Sequence, residues 1–433
     1  MKNSYYNSII PLSEKTDVAY NALSDVFVFL NSNIKDMWND FIKMKTECPT
    51  LYSKLCENGF YIEDSIDELE LLQHLNQTIV ENDKNYFMII NPTLACNYKC
   101  WYCYENHIPN SKMSAETLDK IYKHMNHVIE TYGELQSFPI AFFGGEPLIY
   151  FKDIVLPIIR FHDKLCKENN ISWRSIGFTS NGGLLNPEII EALACYDNVQ
   201  FQITLDGGKE MHNRIRFSYK GHDTYTLILR NVMSLLKSGI EVRLRINYTS
   251  ESIGSLYQIA DDLKDLSEEE SMLLEVDFHQ VWQERKLGRD LEGIREVVNY
   301  FIAKRLNVIF NNIDMVRRPC YGDVRSSIVV NYNGDIYKCT ARDFNESNKD
   351  GYLDKSGNII WIRPQEHRMG IRFKDGFCSK CRIAPLCGGG CSRYMLEQEQ
   401  KMNKACIYQS DERIDELILD RLDMFIRNRH KNG

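Results

Sequence analysis

The spacing of apolar positions changes character twice along the chain. Up to about residue 85 it is mixed. "YNSIIPL" and "DVAYNA" read as short strands that can pair as a hairpin, and "IKDMWNDFIKM" then places Ile34, Met37, Trp38, Phe41 and Ile42 at helical intervals. "PTLYSKLCENGFYIED" predicts a helix stopped by Gly59 and a short strand over Phe60 to Ile62.

From about residue 86, apolar runs of strand length alternate with amphipathic runs of helix length. The strand candidates are "YFMIINPT", "PIAFFGGEP", "WRSIGFTSN", "NVQFQITLDG", "EVRLRINYT" and "LLEVDFHQV". Helical stretches such as "SAETLDKIYKHMNHVIETYG", "KDIVLPIIRFHDKL" and "TYTLILRNVMSLLKSG" separate them. Six βα units predict an α/β fold with a parallel sheet and helices outside it. A right-handed series of crossovers can curl into a partial (β/α)6 TIM-like barrel, with the strand C-termini converging on one mouth. After about residue 310 the alternation stops, and Cys- and Gly-rich segments such as "LCGGGCSRY" precede a closing helix, "DERIDELILDRLDMFIRN". The expected domains are 1–85, 86–309 and 310–410, with a terminal helix over 411–433.

A chain of 433 residues agrees with two or three domains. Its net charge of -8, with acids crowded in "IEDSIDELELL" (Ile62 to Leu72), argues against a nucleic-acid partner held through phosphates. That run reads as a solvated acidic helix face, or more sharply as a preference for a basic partner segment. No apolar stretch of roughly 18 residues and no signal-peptide pattern occur, so a cytoplasmic protein with no membrane partner is expected.

Cysteine is the unusual component. Of 14 cysteines, Cys48, Cys56, Cys166 and Cys195 are isolated and expected to be small buried hydrophobes, whereas the other 10 fall in two arrays. Three thiols packed into "CNYKCWYC" would leave one unpaired in a disulfide, and in a reducing compartment such clusters serve metal or redox chemistry. Cys-x3-Cys-x2-Cys thiolates can hold three irons of a [4Fe–4S] cluster and leave the fourth open. His107, four residues after Cys103, would alternatively complete a structural Cys3His zinc site.

Cys96-Asn-Tyr-Lys-Cys100-Trp-Tyr-Cys103 directly follows the first strand, and "GGEP" (Gly144 to Pro147), "TSNGGLL" and "LDGGKEMHNRIR" come after it in order. This set resembles the signature of radical S-adenosylmethionine (SAM) enzymes, with Tyr102 as the aromatic residue before the last cysteine. The resemblance implies a [4Fe–4S] cluster on Cys96, Cys100 and Cys103. The SAM amine and carboxylate would chelate its open iron, and one-electron reduction would release methionine and a 5′-deoxyadenosyl radical. By the same resemblance, Gly144 and Gly145 allow close approach of the methionine amine and Glu146 adds charge there. Ser180 and Asn181 bond the ribose or carboxylate, and Arg216 pairs with the SAM carboxylate. Asn213 stands where relatives often carry Asp and is assigned no role.

The second array runs Cys320, Gly334-x4-Cys339, Cys378-x2-Cys381-x5-Cys387-x3-Cys391 and Cys406. Spacing alone would also suit a pair of zinc knuckles. It resembles the seven-cysteine SPASM domain of radical SAM enzymes that act on peptides or proteins. That implies one auxiliary cluster on Cys378, Cys381, Cys387 and Cys406 and another on Cys320, Cys339 and Cys391. The window "NNIDMVRRP" lacks the cysteine that several relatives use as its fourth ligand, so Asp314 ligates or the position is open.

The N-terminal strand–strand–helix–helix order resembles the winged-helix peptide-recognition domain of maturases for ribosomally made peptides, where a leader peptide adds as a strand. A cap packed on the barrel is the alternative. The expected activity is hydrogen abstraction from a precursor peptide to form a thioether or carbon–carbon cross-link, with flavodoxin or ferredoxin as electron donor. A sulfatase-type formylglycine maturase, a peptide epimerase and a non-catalytic metal-binding peptide chaperone are the alternatives.

Overall fold

The computed structural model describes residues 1–431 except 219, 220, 222, 282, 285–290, 311, 312, 374, 375, 400–405, 407 and 409. Two compact units emerge: Met1–Asn82 with Asn311–Arg325 and Gln365–Gly433, and Asp83–Phe310 with Ser326–Pro364.

In the second unit the six expected strands are Phe87–Ile90, Ile140–Phe142, Ile176–Ser180, Val199–Leu205, Glu241–Tyr248 and Leu274–Gln280. They lie in chain order across a parallel sheet. Asn307–Ile309 adds a further parallel strand at one end. At the other end Ser327–Val330 runs parallel to the first strand, and Asp335–Tyr337, Gly351–Leu353 and Ile359–Trp361 continue antiparallel. Residues 326–364, expected within the 310–410 module, thus extend the parallel sheet. The reason is physical: Ser327–Val330 is buried throughout and satisfies the open edge of the first strand.

Alternation sends Val242, Leu244, Ile246, Leu274, Val276 and Phe278 to the face covered by Ala115–Thr131, Leu156–Glu168, Thr224–Lys237 and Leu291–Ala303. Ser114 and Asp223 cap two of these helices, accepting from Thr117 N and Thr226 N. Pro157 has no N–H to give, and the turn before it widens to a π-helix over Phe151–Val155.

The first unit opens with an antiparallel sheet of Asn7–Ser13, Thr16–Asn21 and Val26–Asn31, in that order. The hairpin was legible, but the third strand, "VFVFLN", was not expected. The anticipated single helix over residues 34–44 is two, Ser32–Met37 and Phe41–Glu47, because the chain turns at Trp38 and Asp40 caps the second through Lys43 N. Pro49–Glu57 and Glu68–Val80 follow, with Tyr61–Ile62 paired to Lys2–Asn3.

Tyr6, Val18 and Tyr20 share one apolar cluster with Val316, Leu386 and Ile418. The N-terminal sheet, part of the cysteine-rich region and the helix Asp411–Lys431 therefore build a common core, where the pattern suggested separate domains. Short segments bury enough apolar surface only by pooling it. The acidic run is also used internally. Asp67 caps Glu68–Val80, Asp64 pairs with the N-terminus, and buried Glu68 accepts from Ser4 Oγ and Tyr5 N, so a wholly solvated face is not what forms. Of the isolated cysteines only Cys166 is buried, while Cys48 and Cys56 are half-buried and Cys195 is exposed at a helix end. Among the described residues no helix is long and apolar enough to cross a membrane.

Asp323 locks the cysteine-rich part of this unit. Its buried carboxylate takes Arg372 Nη2 at 2.7 Å, Arg368 Nε at 3.1 Å and the Ser392 hydroxyl. Burial opposes the charge, but the two guanidiniums and the hydroxyl outweigh it and hold the carboxyl below the usual range. The contribution is therefore present above the unfolded value of about 3.9 and lost as pH falls through the lowered one. Asp323→Ala should destabilise by about 3–5 kcal/mol by stranding two buried cations, read as a lowered anaerobic urea midpoint.

Candidate active site

The segment leaving Phe87–Ile90 carries the first three cysteines over the strand ends. Its backbone is gripped by the turn after the second strand: Gly145 N donates to Thr93 O at 3.2 Å and Glu146 N to Ala95 O at 2.9 Å. A Cβ on Gly144 would lie 2.3 Å from Thr93 O, and one on Gly145 2.3 Å from Ala95 O. Both glycines are thus required by the close approach of the chain's own backbone. Tyr98–Cys100 then forms a short antiparallel ladder with Arg216–Ser218, setting Arg216 opposite Cys100.

Glu146 is wholly buried. Its carboxylate accepts from Leu148 N at 3.1 Å, Ser180 Oγ at 2.9 Å and Asn181 N at 2.8 Å. Burial pushes its pKa up to about 7 against those donors. Glu146 and Ser180 therefore join two strand ends to each other. Asn181 reaches the loop itself, donating to Asn97 Oδ1 at 2.8 Å and to Cys96 Sγ at 3.8 Å.

Arg216 is also committed within the protein. Its Nε donates to Asp206 Oδ2 at 2.7 Å and its Nη2 to the Tyr102 hydroxyl at 2.6 Å, while that hydroxyl donates to Asp206 Oδ1 at 2.5 Å. Asn247 Nδ2 adds a bond to the same hydroxyl at 3.1 Å, and Gln283 Nε2 donates to Tyr102 O at 2.7 Å. The expected partner of Arg216 was a SAM carboxylate; the carboxylate it meets here is that of Asp206. Asp206 was missed, although "LDGG" advertises an acid at a strand end before a glycine turn. Asn213 Oδ1 accepts from Thr224 Oγ1 and Tyr225 N at the start of Thr224–Lys237.

Desolvation opposes the thiolate form of these cysteines and a nearby cation favours it. Burial raises Cys96 to about 12 and Cys103 to about 11 and also raises Cys100, while the Arg216 charge favours the thiolate in all three. Cluster binding supplies the charge that completes deprotonation. Cys103 Sγ and His107 Nε2 lie 3.5 Å apart. A cubane takes each thiolate on a different iron, so three thiols on one loop fit a [4Fe–4S] cluster with one iron left open.

In the first unit, Cys387 is buried and raised to about 12, by burial first and then by its neighbours Cys381, Cys378 and Cys406. Arg372 fixes the glycine turn that follows, donating to Gly388 O at 2.8 Å and Gly390 O at 2.9 Å. Cys320 and Cys391 belong to this unit and Cys339 to the other. Asp314, the candidate ligand, is engaged by Arg317 Nε at 2.9 Å.

Residues 90–268 match the Radical SAM superfamily. This stretch is a radical SAM domain, which implies a [4Fe–4S] cluster and SAM as cofactors. The chain is 24% identical over 343 residues to a cysteine-type anaerobic sulfatase-maturating enzyme of Clostridium novyi, covering 72% of this chain and 88% of that protein. It is 26% identical over 403 residues to the radical SAM cyclopropyl synthase TigE of Paramaledivibacter caminithermalis, covering 83% and 79%. In fold it is similar to anSMEcpe solved with AdoMet and the Cp18Cys peptide, with a TM-score of 0.58 and 18% identity over 81% of this chain and 100% of that one.

Gly145→Ala should leave helix content intact but displace the loop into Cys96. A misplacement of this size predicts a loss of about 10²-fold in SAM cleavage, measured as 5′-deoxyadenosine released on reduction.

Proposed function

We propose that the protein modifies a ribosomally made precursor peptide by hydrogen abstraction, closing a thioether or carbon–carbon cross-link. When bound, the cluster and SAM supply a 5′-deoxyadenosyl radical. Cys96, Cys100 and Cys103 would hold the cluster, and Tyr102, Asp206 and Arg216 would keep their loop in place. Gly144, Gly145, Glu146, Ser180 and Asn181 shape the strand ends against which SAM would lie. Cys378, Cys381, Cys387 and Cys406 would hold one auxiliary cluster, and Cys320, Cys339 and Cys391 a second. The arginine contact of Asp314 favours an open fourth position there over carboxylate ligation. Flavodoxin or ferredoxin would donate the electron.

The observation carrying the peptide reading is the N-terminal sheet. Val26–Asn31 is its end strand, with no strand partner on the outer edge among the described residues, and Phe29 on it is 57% exposed. An extended leader peptide can add to such an edge through backbone hydrogen bonds. The match to the cyclopropyl synthase includes more of this chain than the match to the sulfatase maturase, which favours closure of a carbon–carbon bond over formylglycine. The Clostridium novyi relative keeps formylglycine formation as the second reading.

The test is anaerobic co-expression with the short peptide encoded beside the gene, read by intact and fragment mass. Loss of hydrogens in pairs, mapped to the core peptide, is expected. A new aldehyde at Cys or Ser would support the second reading, and deuterium uptake from D2O with no mass change in ordinary water would mean epimerisation. Replacing Cys96, Cys100 and Cys103 together by Ala should abolish turnover while auxiliary iron remains; activity in that variant would overturn the assignment.

A further inference from the structure

Helices cover one face of the parallel sheet, and alternation gives the other face a polar row. On Glu241–Tyr248 that row holds Arg243, Arg245 and Asn247, and on Leu274–Gln280 it holds Glu275, Asp277 and His279. The register sets Arg243 opposite Glu275, Arg245 opposite Asp277 and Asn247 opposite His279. Arg243 pairs with Glu275, and Arg245 Nε donates to Asn247 Oδ1 at 3.0 Å. Asn247 in turn bonds the hydroxyl of Tyr102, the residue before Cys103. The polar row thus runs directly into the cysteine loop.

At its end Asp277 Oδ2 and His279 Nε2 lie 2.8 Å apart, with side chains 22% and 33% exposed. The carboxylate fixes the ring through Nε2 and leaves Nδ1 without a hydrogen bond among the described residues. An imidazole held on one nitrogen and presented on the other is the arrangement of a proton-transfer group. A purely structural histidine would be expected to bond through both nitrogens or to be buried among apolar side chains, as His124 is bonded on both sides by Tyr86 and Gly357.

We propose that His279, oriented by Asp277 as a positioning residue, accepts the proton released when the peptide cross-link closes. The inference rests on the peptide-modifying reading. Transfer of a hydrogen atom from a substrate carbon to the 5′-deoxyadenosyl radical yields 5′-deoxyadenosine and a carbon radical. Closing a thioether forms the C–S bond and breaks S–H. The proton goes to His279 Nδ1 and the remaining electron to an iron–sulfur acceptor, so the peptide loses two hydrogens in all.

His279→Gln separates this role from a structural one, because the amide nitrogen can keep the bond to Asp277 while the basic Nδ1 is removed. The probe is the short peptide encoded beside the gene, deuterated at its core residues and supplied to the reduced, reconstituted enzyme. In the variant, 5′-deoxyadenosine and its deuterium content should stay near wild type, while cross-linked peptide per 5′-deoxyadenosine falls about 10²-fold. Asp277→Asn should lower the same ratio less. His279→Asn gives the equivalent readout if the glutamine variant does not fold. An unchanged ratio would overturn the proposal, as would a parallel loss of 5′-deoxyadenosine. A wild-type enzyme that cleaves SAM but leaves this peptide unmodified would refute the peptide reading, and the proposal with it.

Discussion

The triangle of buried Arg216 and Asp206 with half-buried Tyr102 is the constraint on which the site depends. A guanidinium this deeply buried is tolerable only with a carboxylate at hydrogen-bond distance, and Asp206 provides one from the end of the fourth strand. Tyr102 bridges the pair and ties it to the cysteine loop, while the Arg216–Cys100 register fixes that loop a second time through the backbone. The same cation favours all three thiolates against the desolvation that opposes them. A polar triangle at the strand ends therefore positions the cysteines and biases their protonation together.

Around it, neighbouring strand ends are joined side by side. Glu146 connects the second to the third through Ser180 and Asn181, and Asn181 closes onto Asn97 and Cys96. The sheet beneath is long and its helix layer is continuous, so these ends rest on a rigid base.

Much of this was legible in the sequence. The six central strands announce themselves because their apolar positions meet a full helix layer, and the cysteine spacing survives any uncertainty in fold. Short elements were harder to see. Ser327–Val330 lies far from the βα pattern and joins the sheet through a pairing of high sequence separation, while Val26–Asn31 has too little alternation to stand out. The glycines of "GGEP" were visible, but the backbone they accommodate, 93–95, could be found only in three dimensions. Asp206 escaped for a similar reason. An acid after an apolar strand is common, and its meaning depends on Arg216 arriving from a later segment. The shared core of the N-terminal sheet and C-terminal helix could not be read from periodicity, which reports which face is apolar but not what covers it.

The central claim is that three cysteines hold a cluster whose remaining iron is open to SAM. The most direct measurement is the electron paramagnetic resonance spectrum of the reduced cluster, with the auxiliary cysteines replaced so that only Cys96, Cys100 and Cys103 contribute. Adding SAM should shift the g-values of a [4Fe–4S]+ signal, as expected when its amine and carboxylate take the open iron. A spectrum unchanged by SAM, or no cluster signal at all, would contradict the account.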